Sequence, residues 1–199
     1  IVAKHQQVVR VDREPARDST GTTTDETTFS VMRELVASAD AVIFSDYAKG
    51  CVTSEVAQAI IAAARARKIP VVVDPKGKDF AKYANATVIT PNTSELEAAS
   101  GTSTKNADDG ILAAANAVLP VVGDAAILVT RGPKGMTLTQ KGREAYHFPT
   151  MARSVYDVTG AGDTVVATVA LALASGLPWP KAISLASHAA GVAVSKPGT

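Results

Sequence analysis

The chain has 199 residues, of which 46% are hydrophobic and 5% aromatic, and its net charge is +1. This length suits one domain or a large part of one, and the composition is typical of an α/β protein rather than a disordered or nucleic-acid-binding one. The single cysteine, Cys51, excludes an intramolecular disulfide framework, and no apolar run approaches the roughly 18 residues that span a membrane, so we expect a cytoplasmic protein without a membrane partner.

The two ends of the chain indicate a fragment of a longer protein. A strand-like run occupies residues 1–11, and the polar residues 13–28 predict a loop. The chain closes at residues 196–199 in a Lys-Pro-Gly-Thr sequence that predicts a turn. We therefore expect one incomplete domain over residues 1–199.

After this loop, short apolar runs alternate with helical patterns. The predicted strands are 41–44, 71–73, 87–89 and 126–129, and the predicted helices are 54–68, 93–100, 106–119, 161–175 and 180–194. Residues 135–148 predict a β-hairpin. This alternation predicts an α/β fold whose mostly parallel sheet is covered on both faces.

Polar or special residues directly follow the predicted strands. In chain order they are Asp46 and Lys49, Asp74 and Lys76, Asn92 and Glu95, and Thr130 and Gly132. Ligands of such sheets bind outside the carboxyl ends of the strands. We therefore expect these side chains to meet at one edge of the sheet.

The segment from Asp157 to Asp163 ends where the helix of residues 161–175 is predicted to begin. Gly160 and Gly162 leave backbone N–H groups open at the positive end of the helix dipole, which makes an anion site. A carboxylate there repels phosphate, so Asp163 fits better as a base that takes a proton from an attacking hydroxyl. The alternative is a glycine turn with Asp163 as a cap; a dinucleotide site is disfavoured because Val165 stands where a third glycine belongs.

Asn92 and Glu95 have a spacing that allows two interpretations. Three residues apart on the first turn of a helix, they can cap that helix. They can also face one side together and hold hydrated Mg²⁺, which prefers oxygen ligands and keeps several waters.

The run Asp157-Val158-Thr159-Gly160-Ala161-Gly162-Asp163 resembles the C-terminal signature of the ribokinase-like (PfkB) carbohydrate kinases. This resemblance implies a three-layer fold, Asp163 as catalytic base, and an anion hole from the amides of Gly160, Ala161 and Gly162. It implies Mg²⁺ held through water by Glu95 and Asn92, and a monovalent cation such as K⁺ near Asp157 and Thr159. The resemblance also implies that Asn92 contacts ATP. The segment 130–135 is similar to the T-x-G-x-x-G segment beside ATP, which implicates Thr130, Gly132 and Gly135, although a plain turn would look the same. His188 falls where the family's helix borders adenine, but it replaces the expected Asn and could equally be a surface residue.

Four segments narrow the resemblance to heptose 7-phosphate kinases, the kinase domains of ADP-heptose synthesis proteins in the lipopolysaccharide core pathway. They are S-D-Y-x-K-G at 45–50, D-P-K-G at 74–77, T-P-N-x-S-E at 90–95 and V-Y-D-V-T-G-A-G-D at 155–163. The resemblance implies ATP-dependent phosphorylation of the anomeric hydroxyl of heptose 7-phosphate to the 1,7-bisphosphate. Another PfkB kinase, acting on a hexose phosphate, ribose or a nucleoside, and an inactive nucleotide-binding regulatory domain are the alternatives.

The same resemblance assigns the remaining candidate residues. Lys49 and Lys76 are cations for phosphate or solvated loop lysines, and Asp46 is a candidate substrate contact. Residues 1–12 would be part of a β lid, in which Arg10 and Asp12 touch the sugar or pair with each other, and through which two copies would form a homodimer. The family's N-terminal glycine pair has no counterpart in the sequence.

Overall fold

One six-stranded sheet organises the chain in the computed structural model, which describes residues 2–3, 6–7, 26–152 and 156–196. The strands are β1 (Val2–Ala3), β2 (Gln6–Gln7), β3 (Val42–Ser45), β4 (Val71–Asp74), β5 (Val88–Ile89), β6 (Ala126–Thr130), β7 (Met136–Thr139) and β8 (Tyr146–Phe148). The helices are α1 (Glu26–Ser38), α2 (Ser54–Arg67), α3 (Thr93–Ser100), α4 (Asp108–Val118), α5 (Ala161–Ala174) and α6 (Trp179–Val194). Two short 3₁₀ turns cover Ala81–Tyr83 and Gly132–Lys134.

The strand order is β3-β4-β5-β6-β7-β8, so spatial order follows chain order. The first four strands run parallel, and β7 and β8 continue the sheet as an antiparallel hairpin. Ser45 is paired with Asp74, so β3 and β4 end level with each other. The predicted mostly parallel α/β sheet is confirmed.

Two apolar cores cover the two faces of the sheet. Alternate residues of a strand point to opposite faces, and β4 shows this directly. Val71 and Val73 belong to the core beneath α1, α2, α3 and α4, whereas Val72 belongs to the core beneath α5 and α6. All three side chains are at most 1% exposed. Burial on both faces explains why these strands are apolar without alternation.

The helix ends follow local rules. Thr53 is the N-cap of α2, and its side chain accepts a hydrogen bond from the N–H of Val56. Lys68 ends this helix in the left-handed conformation. Gly101 likewise ends α3, as the sequence predicts.

The N-terminal region differs from the prediction at its first helix. Helix α1 begins at Glu26, within the predicted loop of residues 13–28, because Phe29 and Met32 pack against the core and stabilise a Thr-rich segment that has low helix propensity. The strand-like run 1–11 contains a separate antiparallel pair, β1 with β2. Arg10 and Asp12 lie outside the described residues. Within the described part of the chain, no helix has the length and apolar character needed to cross a membrane.

Candidate active site

The carboxyl ends of the parallel strands bring four acidic side chains near one another. Asp74 is the last residue of β4, and the charges of Glu95, Asp163 and Asp46 raise the pKa of its carboxyl. Lys76, two residues further on, is the cation that opposes them. The ends of β3 and β4 and the starts of α3 and α5 therefore bring charged side chains to the same edge of the sheet.

Asp74 was expected at the strand ends, but from the sequence a chemical role was assigned only to Lys76. Burial, and after it the charges of Glu95 and Asp163, together raise the pKa of the Asp74 carboxyl to about 6. An acid tuned toward neutral pH marks a candidate functional position. The signal in the sequence is its place as the last residue of a buried strand, directly before the Pro75-Lys76 pair.

Asn92 and Glu95 form a complete capping box at the start of α3. The Asn92 side chain accepts from the Glu95 N–H at 2.9 Å, and Glu95 Oε2 accepts from the Asn92 N–H at 3.0 Å. Glu95 Oε1 accepts from Lys76 Nζ at 3.1 Å. Asn92 and Glu95 therefore cap α3 in this structure. The ion pair also places Glu95 next to the cation Lys76 at the strand ends.

Asp46 does not fit the predicted substrate contact. Its side chain is 2% exposed, and Oδ2 accepts from Lys82 Nζ and from the Tyr83 hydroxyl, each at 2.5 Å. Oδ1 accepts from the Ala48 N–H at 2.7 Å. Burial opposes ionisation, but these hydrogen bonds and the charge of Lys82 bring the pKa of Asp46 below its ordinary value. The carboxylate is therefore a structural anion held by protein donors.

The start of α5 has the geometry of an anion site. Gly160 is the N-cap with φ of 74° and, having no side chain, leaves the end of the helix open. The N–H of Ala161 donates to Val158 O at 3.2 Å. The N–H groups of Gly162 and Asp163 also belong to the first turn, where helix geometry provides no intrahelical acceptor. A Cβ added at Gly162 would meet nothing within 4 Å. Asp163 is exposed at this open end.

Asp157 and Thr159 form a local turn before that helix. Asp157 Oδ1 accepts from the Thr159 N–H at 2.9 Å, and this hydrogen bonding lowers the pKa of Asp157. The backbone N–H groups of Tyr156 and Asp157 donate to Val194 O, which ties the segment to the end of α6.

Thr130 lies beside Asn92 at the end of β6. The two residues form a parallel bridge, and the Thr130 N–H donates to Pro91 O at 2.9 Å. Gly132 is the first residue of a 3₁₀ turn and Gly135 directly follows it, and both have positive φ. This geometry places two of the predicted ATP-binding positions, Asn92 and Thr130, next to each other.

Arg131 is a buried hub that the sequence did not single out. The residue is 3% exposed, and its guanidinium donates to Asn106 at Oδ1 and O, at 3.0 and 2.9 Å, and to Thr137 Oγ1 at 3.0 Å. It also pairs with Asp108 at 2.7 Å. These contacts fasten the segment after β6 to the α3–α4 connection and to β7. A buried arginine needs such a set of acceptors, but they come from residues that the sequence does not show to be adjacent.

His188 lies on the exposed side of α6. Its Nδ1 is 2.7 Å from Ser184 O in the same helix, and it lines a surface groove with Leu177, Pro180 and Lys181. His188 is therefore a surface residue of α6.

Lys49 lies exposed in the loop between Ala48 and Gly50, both of which have positive φ.

The oxygen, nitrogen and sulfur donors of the described residues limit how a metal ion could be held. Among residues 26–152 and 156–196, no three His, Cys, Asp or Glu side chains are grouped so that they could hold an ion directly. A single carboxylate suits Mg²⁺ bound beside phosphate, because this ion keeps several waters and takes phosphate oxygens as ligands. Glu95 therefore fits a hydrated ion.

Solved structures with the same fold define the class of protein. Arabidopsis thaliana ribokinase complexed with ribose and ATP superposes with a TM-score of 0.72 and 22% identity, over 88% of this chain and 55% of the ribokinase. Escherichia coli phosphofructokinase-2 in complex with potassium gives 0.73 and 22%, over 88% and 58%. The fold is ribokinase-like.

Sequence comparison then gives the family. The model of the pfkB family carbohydrate kinases matches residues 1–199, and the chain belongs to that family. Relatives named bifunctional protein HldE are 47% identical in Geobacter metallireducens and 46% identical in Pseudomonas aeruginosa, each over the whole of this chain. The chain spans 40% of the length of these relatives.

Proposed function

We propose that this chain carries the phosphoryl-transfer site of an ATP-dependent sugar kinase. The proposed acceptor is the anomeric hydroxyl of heptose 7-phosphate, and the product is the 1,7-bisphosphate. Family membership and the HldE-named relatives support this assignment, as do the 45–50 and 74–77 segments. The observation that carries it is Asp163 on the open first turn of α5, close enough to Asp74 for its charge to raise the pKa of that carboxyl.

Asp163 would take the proton of the acceptor hydroxyl. A general base must reach the reacting proton, and an exposed carboxylate on the first turn of α5 is accessible to a sugar. The N–H groups of Gly162 and Asp163, with Gly160 at the N-cap, would stabilise charge on the transferred phosphoryl group. The N–H of Ala161, which the resemblance also assigns to this anion hole, donates to Val158 O instead. Lys49 and Lys76 would neutralise phosphate oxygens.

ATP would lie along the strand ends of β5 and β6. Asn92 and Thr130 are paired there, and Gly132 and Gly135 shape the following turn. Glu95, with Asn92, would hold hydrated Mg²⁺, which when bound neutralises phosphate charge. Lys76 Nζ lies 3.1 Å from Glu95 Oε1. A metal ion bound at this oxygen would take the place of the lysine, so the Lys76 side chain would move when Mg²⁺ binds.

A monovalent cation is proposed at the Asp157–Thr159 turn. Its support is the carboxylate held at this turn and the potassium complex of phosphofructokinase-2, a protein with the same fold. Residues 1–12 would form part of a lid that pairs with a second copy, as exposed strand edges often do. The use of ATP is consistent with a cytoplasmic enzyme.

Turnover of a sugar panel by the full-length protein tests the function. ADP release should require heptose 7-phosphate, and Asp163→Asn should lower kcat by about 10²-fold or more with little change in ATP affinity. Asp109→Asn is the matched control, since Asp109 is also an exposed acid on the first turn of a helix, α4. Faster turnover of a hexose phosphate, ribose or a nucleoside would instead identify the protein as another PfkB kinase. ATP binding without turnover of any sugar would favour a regulatory domain.

A further inference from the structure

The two loops that carry Lys49 and Lys76 are joined beneath the surface by one tyrosine. Tyr83 is 0% exposed, and its ring packs against Phe80 with centroids 6.3 Å apart. Its hydroxyl donates to Asp46 Oδ2 at 2.5 Å and accepts from the Lys76 N–H at 3.5 Å. One hydroxyl thus contacts the start of loop 46–50 and the middle of loop 74–77.

Asp46 extends this connection in both directions. Its Oδ1 accepts from the N–H of Ala48, which directly precedes Lys49 and has φ of 55°. Its backbone N–H donates to Asp74 O at 3.1 Å. The carboxylate therefore fixes the turn that presents Lys49 and the spacing between the two strand ends.

Lys82 supplies the charge that keeps this anion buried. Its Nζ lies 2.5 Å from Asp46 Oδ2, and its side chain is 14% exposed. Lys82 and Tyr83 lie 36 and 37 residues from Asp46 along the chain, so only the tertiary fold brings the three together. Such a buried, satisfied polar network is rigid, and burial together with Asp46 raises the pKa of Tyr83, so its hydroxyl stays a donor.

We propose that Tyr83, acting through Asp46, is a positioning residue that sets the spacing of Lys49 and Lys76 for the phosphate groups of the substrates. Neither Tyr83 nor Asp46 touches a substrate in this role. The proposal rests on the proposed function, because it takes phosphate as the partner of the two lysines. It explains why a buried acid, lysine and tyrosine lie beneath two exposed phosphate-facing loops.

Tyr83→Phe in the full-length protein tests the role, because it removes the hydroxyl and keeps the packed ring. The expected result is a rise of about tenfold or more in KM for the phosphorylated sugar or for ATP, with kcat within about threefold, because small misplacements of binding groups weaken productive binding. Tyr146→Phe is the control, since Tyr146 is 54% exposed on β8. A lower kcat at unchanged KM would indicate only fewer folded molecules and would overturn the proposal.

Hydrogen exchange provides a readout that does not need kinase activity. In Tyr83→Phe, amides of segments 46–50 and 74–77 should exchange faster, while those of the hairpin turn at 140–144 stay unchanged. Unchanged exchange in both loops overturns the positioning role. If wild-type protein turns over no sugar while the exchange result holds, the proposed function fails and the structural connection stands. Should Tyr83→Phe not fold, Lys82→Gln must give the same KM increase and loop exchange, or the proposal is wrong.

Discussion

Asp74 and Asp163 show how neighbouring carboxyls acquire different properties. Asp163 stands exposed on the first turn of α5. Asp74 is partly buried at the end of β4 among the charges of Glu95, Asp163 and Asp46. Burial and the neighbouring charges thus raise the pKa of Asp74, while the Asp163 side chain stays accessible to solvent.

Asp74 should make the chain less stable as pH rises. Its pKa is about 6 in the folded chain against an ordinary value of 3.8, so the folded state holds the proton more tightly. Stability must therefore fall between about pH 4 and pH 6, with the whole penalty present above that range. Asp74→Asn should raise the free energy of unfolding relative to wild type by about 1 kcal/mol more at pH 8 than at pH 5.

Urea unfolding at the two pH values measures this difference. Asp40→Asn is the control, because Asp40 is exposed just before β3, at the opposite end of the sheet. A difference that does not change with pH would mean that the Asp74 carboxyl titrates alike in the folded and unfolded chain.

At the scale of elements, the turn between β6 and β7 is shaped by backbone as much as by any ligand. Gly135 has φ of 79° and ψ of −130°, a conformation nearly confined to glycine. A Cβ at this position would lie 2.0 Å from Phe148 O at the end of β8. The fold therefore requires glycine here independently of nucleotide binding, and the resemblance alone could not separate the two reasons.

Gly135→Ala should lower the free energy of unfolding by roughly 3 kcal/mol or more, because it combines backbone strain with a collision against main-chain atoms. Gly142→Ala is the matched control. Gly142 also has positive φ, at 70°, but a Cβ there meets nothing within 4 Å, so we expect a loss of only about 1 kcal/mol. Thermal and urea unfolding give both values, and equal losses would contradict the assigned collision.

Element positions were largely predictable from the sequence, whereas cross-chain contacts were not. The sequence predicts α3 over residues 93–100 because Asn92 and Glu95 define its start and Gly101 its end, and the structure agrees. Helix α1 was missed because its Thr-rich start obscures the spacing of Phe29, Met32 and Val36, all of which pack in the core. The pairing of Asp46 with Lys82 and Tyr83 joins residues far apart in the chain. Local patterns carry no information about such a contact.

For the whole molecule, the two ends of the sheet have different tolerance for change. The strand-end loops carry the candidate site, while the β7–β8 turn carries only exposed residues at 141–144. Longer loops cost little closure entropy, so the fold itself should accept extra residues at either place. The difference should appear in ligand binding.

Inserting Gly-Ser between Gly77 and Lys78 should raise KM for the phosphorylated sugar by about tenfold or more, because it releases Lys76 from its neighbours. The same insertion between Lys141 and Gly142 should leave KM unchanged. Both insertions should keep the melting temperature within a few degrees of wild type. Steady-state kinetics and thermal unfolding measure these outcomes, and an equal rise in KM for both insertions would contradict the assignment of the site to the strand ends.

The level ending of β3 and β4, where Ser45 pairs with Asp74, has a consequence for substrate size. Neighbouring strands lie about 4.8 Å apart, so groups that follow successive strands recur at that interval from β3 to β6. Across four strands this is a scale of about 14 Å, fixed by backbone hydrogen bonds and not by side chains. A homologous chain that accepts a longer or shorter sugar cannot adjust this interval and must change the loops instead. Selection for a new acceptor should therefore alter residues within 46–50 and 74–77 while the strands beneath them stay the same.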